Sequence, residues 1–355
     1  MNLVLTFDYE LYGDGSGDVF DHIISPTNRI LEICNNRGIR CTIFFEVIEY
    51  LRLKDEWVSG NKMGYTKNPV KAMEEQIVGA HMDGHDIQLH VHPQWVKASY
   101  SDGKWNVDFE NWRLGDFQIE EEYTIYKLLK EGKEALETII RTVDVNYSCS
   151  ILRAGGYNIV PSKEVYDAMV KLGLDADSSV YPGGYEDGTL SRYDFRDSTI
   201  FKDFWLADRN DFSSSSQESI ILEIPIYSML TRRFSKINLE RLKSFWRNKR
   251  SGIHSVIHKT NEKSILAKLF YLFGLESCTW DFCLFSRRQH RRYFRFIEKN
   301  LVAKRSTFVL IGHPKGYTSD SGFLWLINYA FENDYRFVSL KQLYNEVRQG
   351  ARKVT

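Results

Sequence analysis

The chain has 355 residues, 43% of them hydrophobic and 26% charged, with 47 Lys and Arg balanced by 47 Asp and Glu. That is the make-up of a protein that buries a full core, and the zero net charge names no partner. Five cysteines, at 34, 41, 149, 278 and 283, form no CxxC pair, which excludes a zinc-finger pattern and a disulfide framework and fits a reducing compartment.

The first predicted element is an apolar run over 2–7 that ends in an acid. Continuous apolar runs suit strands buried on both faces, as in parallel sheets. A helix follows over 25–38, a second buried strand over 41–47 (CTIFFEV), a helix over 69–82 and a third strand over 86–91. Next come an amphipathic helix over 118–141, a strand over 149–152, a helix over 162–172 and a short strand over 174–177. IILEIPI (220–226) and TFVLI (307–311) are clear strands, with a helix over 322–332 and a last strand near 337–339. This alternation argues for βαβ units and a parallel sheet or barrel. No run of 18 apolar residues occurs, so no transmembrane helix is expected. The opening MNLVLTFDYE has no basic segment, apolar core or cleavage site, and the protein is expected to be cytoplasmic, peripheral at the inner membrane if membrane-bound at all.

Residues 228–305 break the rhythm. They are basic, aromatic and mostly helical in pattern, and we read them as an insertion within a single catalytic domain spanning 1–355. Between Leu230 and Arg305 there are 19 Lys and Arg against 5 Asp and Glu. Such an asymmetry points to an anionic partner or surface, unless the rest of the chain supplies the counter-charge. The insertion leaves the C-terminal end of a strand, so it is expected to rise as a lid over the active face. Arg287, Arg288, Arg291 and Arg292 would form one basic stripe on a helix. No recognised nucleic-acid module frames the segment, so nucleic acid is not an expected partner.

Polar residues recur where the strands end: Asp8 and Glu10, His90 and His92, Arg153, Asp177 and His313. In barrels and open α/β sheets that end carries the site. His90 and His92 with one carboxylate would give three protein ligands and leave a position open, as catalytic zinc requires. Of the pair Asp8 and Glu10, one can bind metal while the other accepts a proton, although paired acids also cap helices. The glycines of LRAGGYN (152–158) allow close backbone approach, and their N–H groups could face an oxyanion. His313 is a candidate general acid, with Asp177 as an ion-pair partner; a lone histidine after a strand also occurs as a plain core residue.

Taken in order, TFDYE (6–10), GHDIQLHVHP (84–93), LRAGGYN, DADSSVYP (175–182) and LIGHP (310–314) resemble the five motifs of the polysaccharide deacetylases of the NodB-homology type, carbohydrate esterase family four, in an atypical branch. The resemblance implies a distorted (β/α)7 barrel and a divalent metal, most often zinc. It makes Asp8 the base, Glu10 the metal carboxylate, His90 the first metal histidine, Arg153 the group that orients the base and His313 the acid. It places Gly155, Gly156 and Tyr157 near the substrate and oxyanion. The chain departs from the pattern in three places. Tyr9 separates the two acids, Gln94 stands where the second metal histidine belongs, and glycine replaces the proline of the RxPY motif. Aligning the His-Pro dipeptide selects His92 as the second ligand. The expected reaction is removal of an N- or O-acyl group from a carbohydrate, phosphate-bearing or lipid-linked, with an anionic membrane surface as a further partner. A small-amide hydrolase of the allantoinase-like branch and an inactive glycan-binding barrel are the alternatives.

Overall fold

A computed structural model describes residues 1–120, 123–250 and 273–352. Its central sheet contains β1 (Asn2–Tyr9), β2 (Thr42–Glu46), β3 (Asp86–Val91), β4 (Ile151–Ala154), β5 (Ala176–Asp177), β6 (Trp205–Leu206) and β7 (Leu222–Glu223). After a separate hairpin of β8 (Ser228–Arg232) and β9 (Leu275–Thr279), the sheet is completed by β10 (Thr307–Leu310) and β11 (Arg336–Phe337). The strands run in the order β6-β7-β5-β4-β3-β2-β1-β10, with β11 also paired to the start of β1. Only β6 is antiparallel to its neighbour. Beyond β7 the chain swings across, and Ile226 bridges Val309 of β10 in parallel. This single bridge closes a ring of parallel strands, which is a distorted (β/α)7 barrel.

Period-two alternation sorts the strand residues between two cores. Leu3, Leu5, Phe7 and Tyr9 of β1 face outward into the main cluster, against the helices. Val4, Phe44, Ile151, Ala176, Leu222 and Val309 form a second cluster inside the barrel, joined by Val338, Leu340 and Leu343 from the C-terminal end of the chain. Continuing the inward parity toward the C-terminal ends of the strands gives Thr6, Asp8 and Glu10 on β1 and just beyond it. On β2 it gives Glu46, on β3 and beyond Gln88, His90 and His92, and on β4 Arg153. Apolar side chains fill one end of the barrel and polar ones the other.

The outer layer holds α1 (Ser25–Asn35), α2 (Val47–Val58), α3 (Pro69–Met82), α4 (Ile125–Ile140) and α5 (Lys163–Leu172). Past β7 come α6 (Leu239–Arg250), α7 (Arg287–Asn300), α8 (Asp320–Glu332) and α9 (Leu340–Arg352). The helix expected from 118 starts at Ile125 instead, because Gln118–Glu120 pairs with Tyr123–Thr124 as a small hairpin. No described helix is long and apolar enough to cross a membrane.

Among its described residues the segment 228–305 holds strand as well as helix. It opens on the β8–β9 hairpin, whose Met229 and Cys278 are buried as a cross-strand pair. Helix α7 packs against α8 through Phe294, whose ring lies 4.5 Å from that of Tyr329. Its arginines 287, 288, 291 and 292 are exposed, and the Arg291 guanidinium lies 5.4 Å from the centre of the Trp325 ring of α8. Helix α6 belongs to a different neighbourhood: Arg247 donates to the carbonyl oxygens of Lys315 and Tyr317, directly after His313. The helical reading of 251–272 lies outside the described residues.

Candidate active site

The open end of the barrel gathers residues from β1, β2, β3, β4 and the turn after β10. Strand register does this: Asp8 lies opposite Phe44, Glu46 opposite His90, and His90 opposite Arg153. Six of the side chains, Asp8, Glu10, Glu46, His90, His92 and Arg153, are buried.

Glu10 is the hub. Its Oε2 lies 2.8 Å from His92 Nε2 and 3.2 Å from His90 Nε2. Its Oε1 accepts a hydrogen bond of 2.6 Å from Lys315 Nζ, which also donates to the Leu11 carbonyl oxygen at 2.7 Å. Burial alone would raise the Glu10 pKa, but Lys315, His92 and His90 hold it well below the carboxylate range. The same pairing raises Lys315 against the opposing effect of burial.

The two histidines are oriented from behind. His90 Nδ1 lies 2.9 Å from the Arg153 carbonyl oxygen. A carbonyl only accepts, so Nδ1 carries the hydrogen and Nε2 is turned to the acids. Burial works against a charged His90, yet Asp8, Glu10 and Glu46 push its pKa up to about 9. His92 Nδ1 lies 2.9 Å from Gln94 Nε2. Swapping the amide O and N of Gln94 would let it accept from Nδ1–H and free Nε2 as a lone-pair donor. Gln94 therefore stands behind His92, and it is the Glu10–His90–His92 group that converges. A Cβ at Gly155 would fall 2.4 Å from His92 Cγ, so only glycine lets the 152–158 turn pass the ring.

Arg153 is wholly buried and makes three hydrogen bonds. Nη1 donates to Asp8 Oδ1 at 2.7 Å, Nε to the Ser178 carbonyl oxygen at 2.9 Å and Nη2 to Ser178 Oγ at 3.2 Å. Its guanidinium lies 3.9 Å from the centre of the Phe44 ring. Burial would raise the Asp8 pKa; Arg153, His90 and His313 outweigh it and keep the carboxyl far below its usual range. The other oxygen, Asp8 Oδ2, is 3.5 Å from His313 Nε2, and that imidazole is a quarter exposed at the mouth.

Asp177 does not meet His313. It is fully buried and accepts from Ser179 N–H at 2.7 Å and Ser179 Oγ at 2.8 Å. Burial raises its pKa; Glu223 lies opposite it in the strand register, and burial and Asp177 push that carboxyl well above the carboxylate range. In place of the expected ion pair, Asp177 stands beside a second buried acid, Glu223, on the neighbouring strand. Asp8, not Asp177, is the carboxylate facing His313.

Gly156 and Tyr157 turn with φ of 56° and 64°. The Tyr157 ring packs edge-on against Tyr181 at 4.9 Å. Trp112 lies edge-on to His92 at 6.2 Å between ring centres and stacks with Phe109. Sequence reasoning missed Trp112, Lys315 and Glu46. For the last two a signal existed. Lys315 follows His313 by two residues, and Glu46 shares the inward parity of Phe44 at a strand's C-terminal end. Trp112 sits in a loop with no periodicity to mark it.

The donor set suits a divalent cation. Two imidazoles with their far nitrogens hydrogen-bonded and a carboxylate between them are a zinc-type set. Two groups of acids and histidines each place their ligand atoms within 4.8 Å of one another: Glu10, Glu46, His90 and His92, and Asp8, Glu10 and His313. With His90 neutral, as a metal ligand must be, the carboxylates of Asp8, Glu10 and Glu46 outnumber the cations Arg153 and Lys315.

No family model and no curated protein matches the sequence. Solved structures do align with it. A protein from Parabacteroides distasonis, provisionally assigned as a glycoside hydrolase/deacetylase, aligns with a TM-score of 0.52 at 11% identity, covering 98% of this chain and 71% of its own. A polysaccharide deacetylase from Bacillus cereus aligns with a TM-score of 0.38 at 11% identity, covering 95% and 90%. A family 4 acetyl xylan esterase from Clostridium thermocellum, solved with a cobalt ion, aligns with a TM-score of 0.37 at 9% identity, covering 97% and 91%. The first of these alignments shows a shared barrel fold, and at 11% identity it shows no more; the chemistry rests on the side chains.

Proposed function

We propose that this chain is a metal-dependent carbohydrate deacetylase. One observation carries the reading: Glu10, His90 and His92 converge beside an Asp8 that Arg153 holds ionised and His313 faces. Glu10, His90 and His92 would hold the ion, zinc by donor type. A divalent ion there supplies Lewis acidity and a water of lowered pKa.

The protein's own groups divide the remaining work. Asp8 has one oxygen tied to Arg153 and the other turned toward His90 and His313, so it is placed to take a proton as general base. His313, partly exposed at the mouth, is placed to donate a proton to the leaving nitrogen or oxygen. Arg153 fixes the direction of Asp8 through bonds that a lysine could not reproduce. Asp177 supports Arg153 from below as a positioning residue. Backbone at Gly155, Gly156 and Tyr157 lines the space in which an oxyanion would form. Trp112 offers an aromatic face beside the ions, which suits a sugar ring.

A lipid-linked or membrane-borne substrate is favoured by α6. Leu239, Leu242, Phe245 and Trp246 are all exposed, among Arg241, Lys243, Arg247 and Lys249. Apolar side chains set among cations suit an anionic lipid surface. The same helix touches the turn after His313, which would bring such a surface to the barrel mouth as a lid. The test is acetate release from N-acetylated and O-acetylated sugars, with small cyclic amides as the competing panel. Turnover of the cyclic amides alone would favour the small-amide reading.

A further inference from the structure

We propose that Glu46 is a fourth protein ligand of the metal site; this rests on reading Glu10, His90 and His92 as that site. Glu46 is the last residue of β2, with the same inward parity as Phe44, and it lies opposite His90 in the sheet register. Its side chain is fully buried.

The two oxygens of Glu46 have different surroundings. Oε1 accepts from the backbone N–H groups of Ile48 at 3.1 Å and Glu49 at 3.4 Å, capping the start of α2. Oε2 is buried and makes no hydrogen bond of ordinary geometry, although the backbone N–H of His92 is near the carboxylate. A buried polar atom without a partner costs free energy, more so on a carboxylate, and such atoms in folded proteins call for an occupant. Capping does not explain the residue either. One oxygen suffices for a cap, and the preferred capping residues are the shorter Ser, Thr, Asp and Asn. Glutamate here supplies the cap and leaves a second oxygen over.

That spare oxygen belongs to a side chain in the cluster whose ligand atoms from Glu10, Glu46, His90 and His92 lie within 4.8 Å of one another. Lys315 holds Glu10 Oε1 and offsets its charge, so Glu10 offers one oxygen, Oε2. Glu46 then brings a second carboxylate oxygen to the two imidazoles. Zinc accepts oxygen donors alongside imidazole and can expand from four to five ligands, so a fourth protein ligand still leaves room for a reacting water.

The test uses the full chain stripped with a chelator, then titrated with zinc(II) against a chromophoric competitor and with cobalt(II) by visible absorption. The variants are Glu46→Gln, which keeps an oxygen for the cap, Glu46→Asp, which keeps charge and cap but withdraws the reach, and His90→Ala. The parent should bind one equivalent. Both Glu46 variants should bind zinc at least about 10-fold more weakly, since even residues behind the ligands contribute that much. Their cobalt absorption should change, while the metal-free proteins melt like the parent. If both Glu46 variants match the parent in affinity and cobalt spectrum while His90→Ala loses the metal, Glu46 is only a cap and the proposal is overturned. If the parent itself binds no metal, or His90→Ala binds it as tightly as the parent, the underlying reading of the site fails, and this proposal with it.

Discussion

Arg153 Nη1 stands 2.7 Å from Asp8 Oδ1, inside the barrel and out of contact with solvent. The two residues come from strands that are not neighbours; β2 and β3 lie between β1 and β4. The pair therefore spans the lumen. Burying two charges is costly, and the geometry offsets that cost only because Ser178 takes up two more guanidinium hydrogens. The consequence is a carboxylate that stays ionised and points one way.

Asp8→Asn should keep the metal and lose turnover by about 10²-fold or more, the usual weight of a general base. Arg153→Lys should also be poor, because an ammonium cannot make the three bonds of the guanidinium at their fixed angles. Acetate release with metal content measured in parallel checks both. Full activity in Asp8→Asn would move the base elsewhere.

His92 and Gln94 should behave differently. His92→Ala should lose the metal. Gln94→Ala should retain it with affinity lowered by about 10- to 100-fold, the range for residues that orient ligands from behind. Equilibrium dialysis with zinc is sufficient. Normal binding in His92→Ala together with loss in Gln94→Ala would reverse the assignment.

The Asp177–Glu223 pair predicts a pH dependence of stability. Burial and the facing Asp177 raise Glu223 well above its ordinary value of 4.5. A carboxyl raised in the folded state favours folding below its unfolded pKa and loses that contribution as pH rises through the folded pKa. Glu223→Gln keeps a hydrogen for Asp177 and cannot ionise. The variant's melting temperature relative to the parent should therefore rise as pH goes from 4.5 to about 8. A difference that stays flat with pH would contradict the raised Glu223 carboxyl.

Helix α6 predicts binding to anionic vesicles. Phe245→Ser with Trp246→Ser should weaken co-sedimentation and leave turnover of a water-soluble substrate unchanged. Neutralising Arg287, Arg288, Arg291 and Arg292 should lower vesicle binding and flatten its salt dependence. Since α7 lies in the outer layer beside α8, the effect on KM for a soluble phosphate-bearing substrate should be small. Vesicle binding equal to the parent's in both variants would make the basic surface a solvated face.

Much of this architecture was legible in the sequence. Strand β3 and helix α3 begin and end where the patterns put them, because Gly84 and the turn beside it separate a helix from the alternating run DIQLHV. Asp8, Glu10, His90, His92, Arg153 and His313 were readable as residues at strand ends. What was not legible depends on pairing across space. The partner of Asp177 is Glu223, on a strand two residues long, and nothing local links them. The β8–β9 hairpin joins segments more than forty residues apart, so its strands carry no turn signal between them. Lys315 and Glu46 also needed the fold: register brings Glu46 to His90, and the turn after β10 brings Lys315 to Glu10.

The most direct test of the account is acetate release from an N-acetylated sugar substrate by the parent and by His90→Ala, before chelation, after it, and after zinc is restored. The account predicts that chelation abolishes turnover in the parent, that one equivalent of zinc restores it, and that His90→Ala is inactive throughout with no bound zinc. Undiminished turnover by chelated, metal-free parent protein, or zinc-restored turnover in His90→Ala, would contradict it.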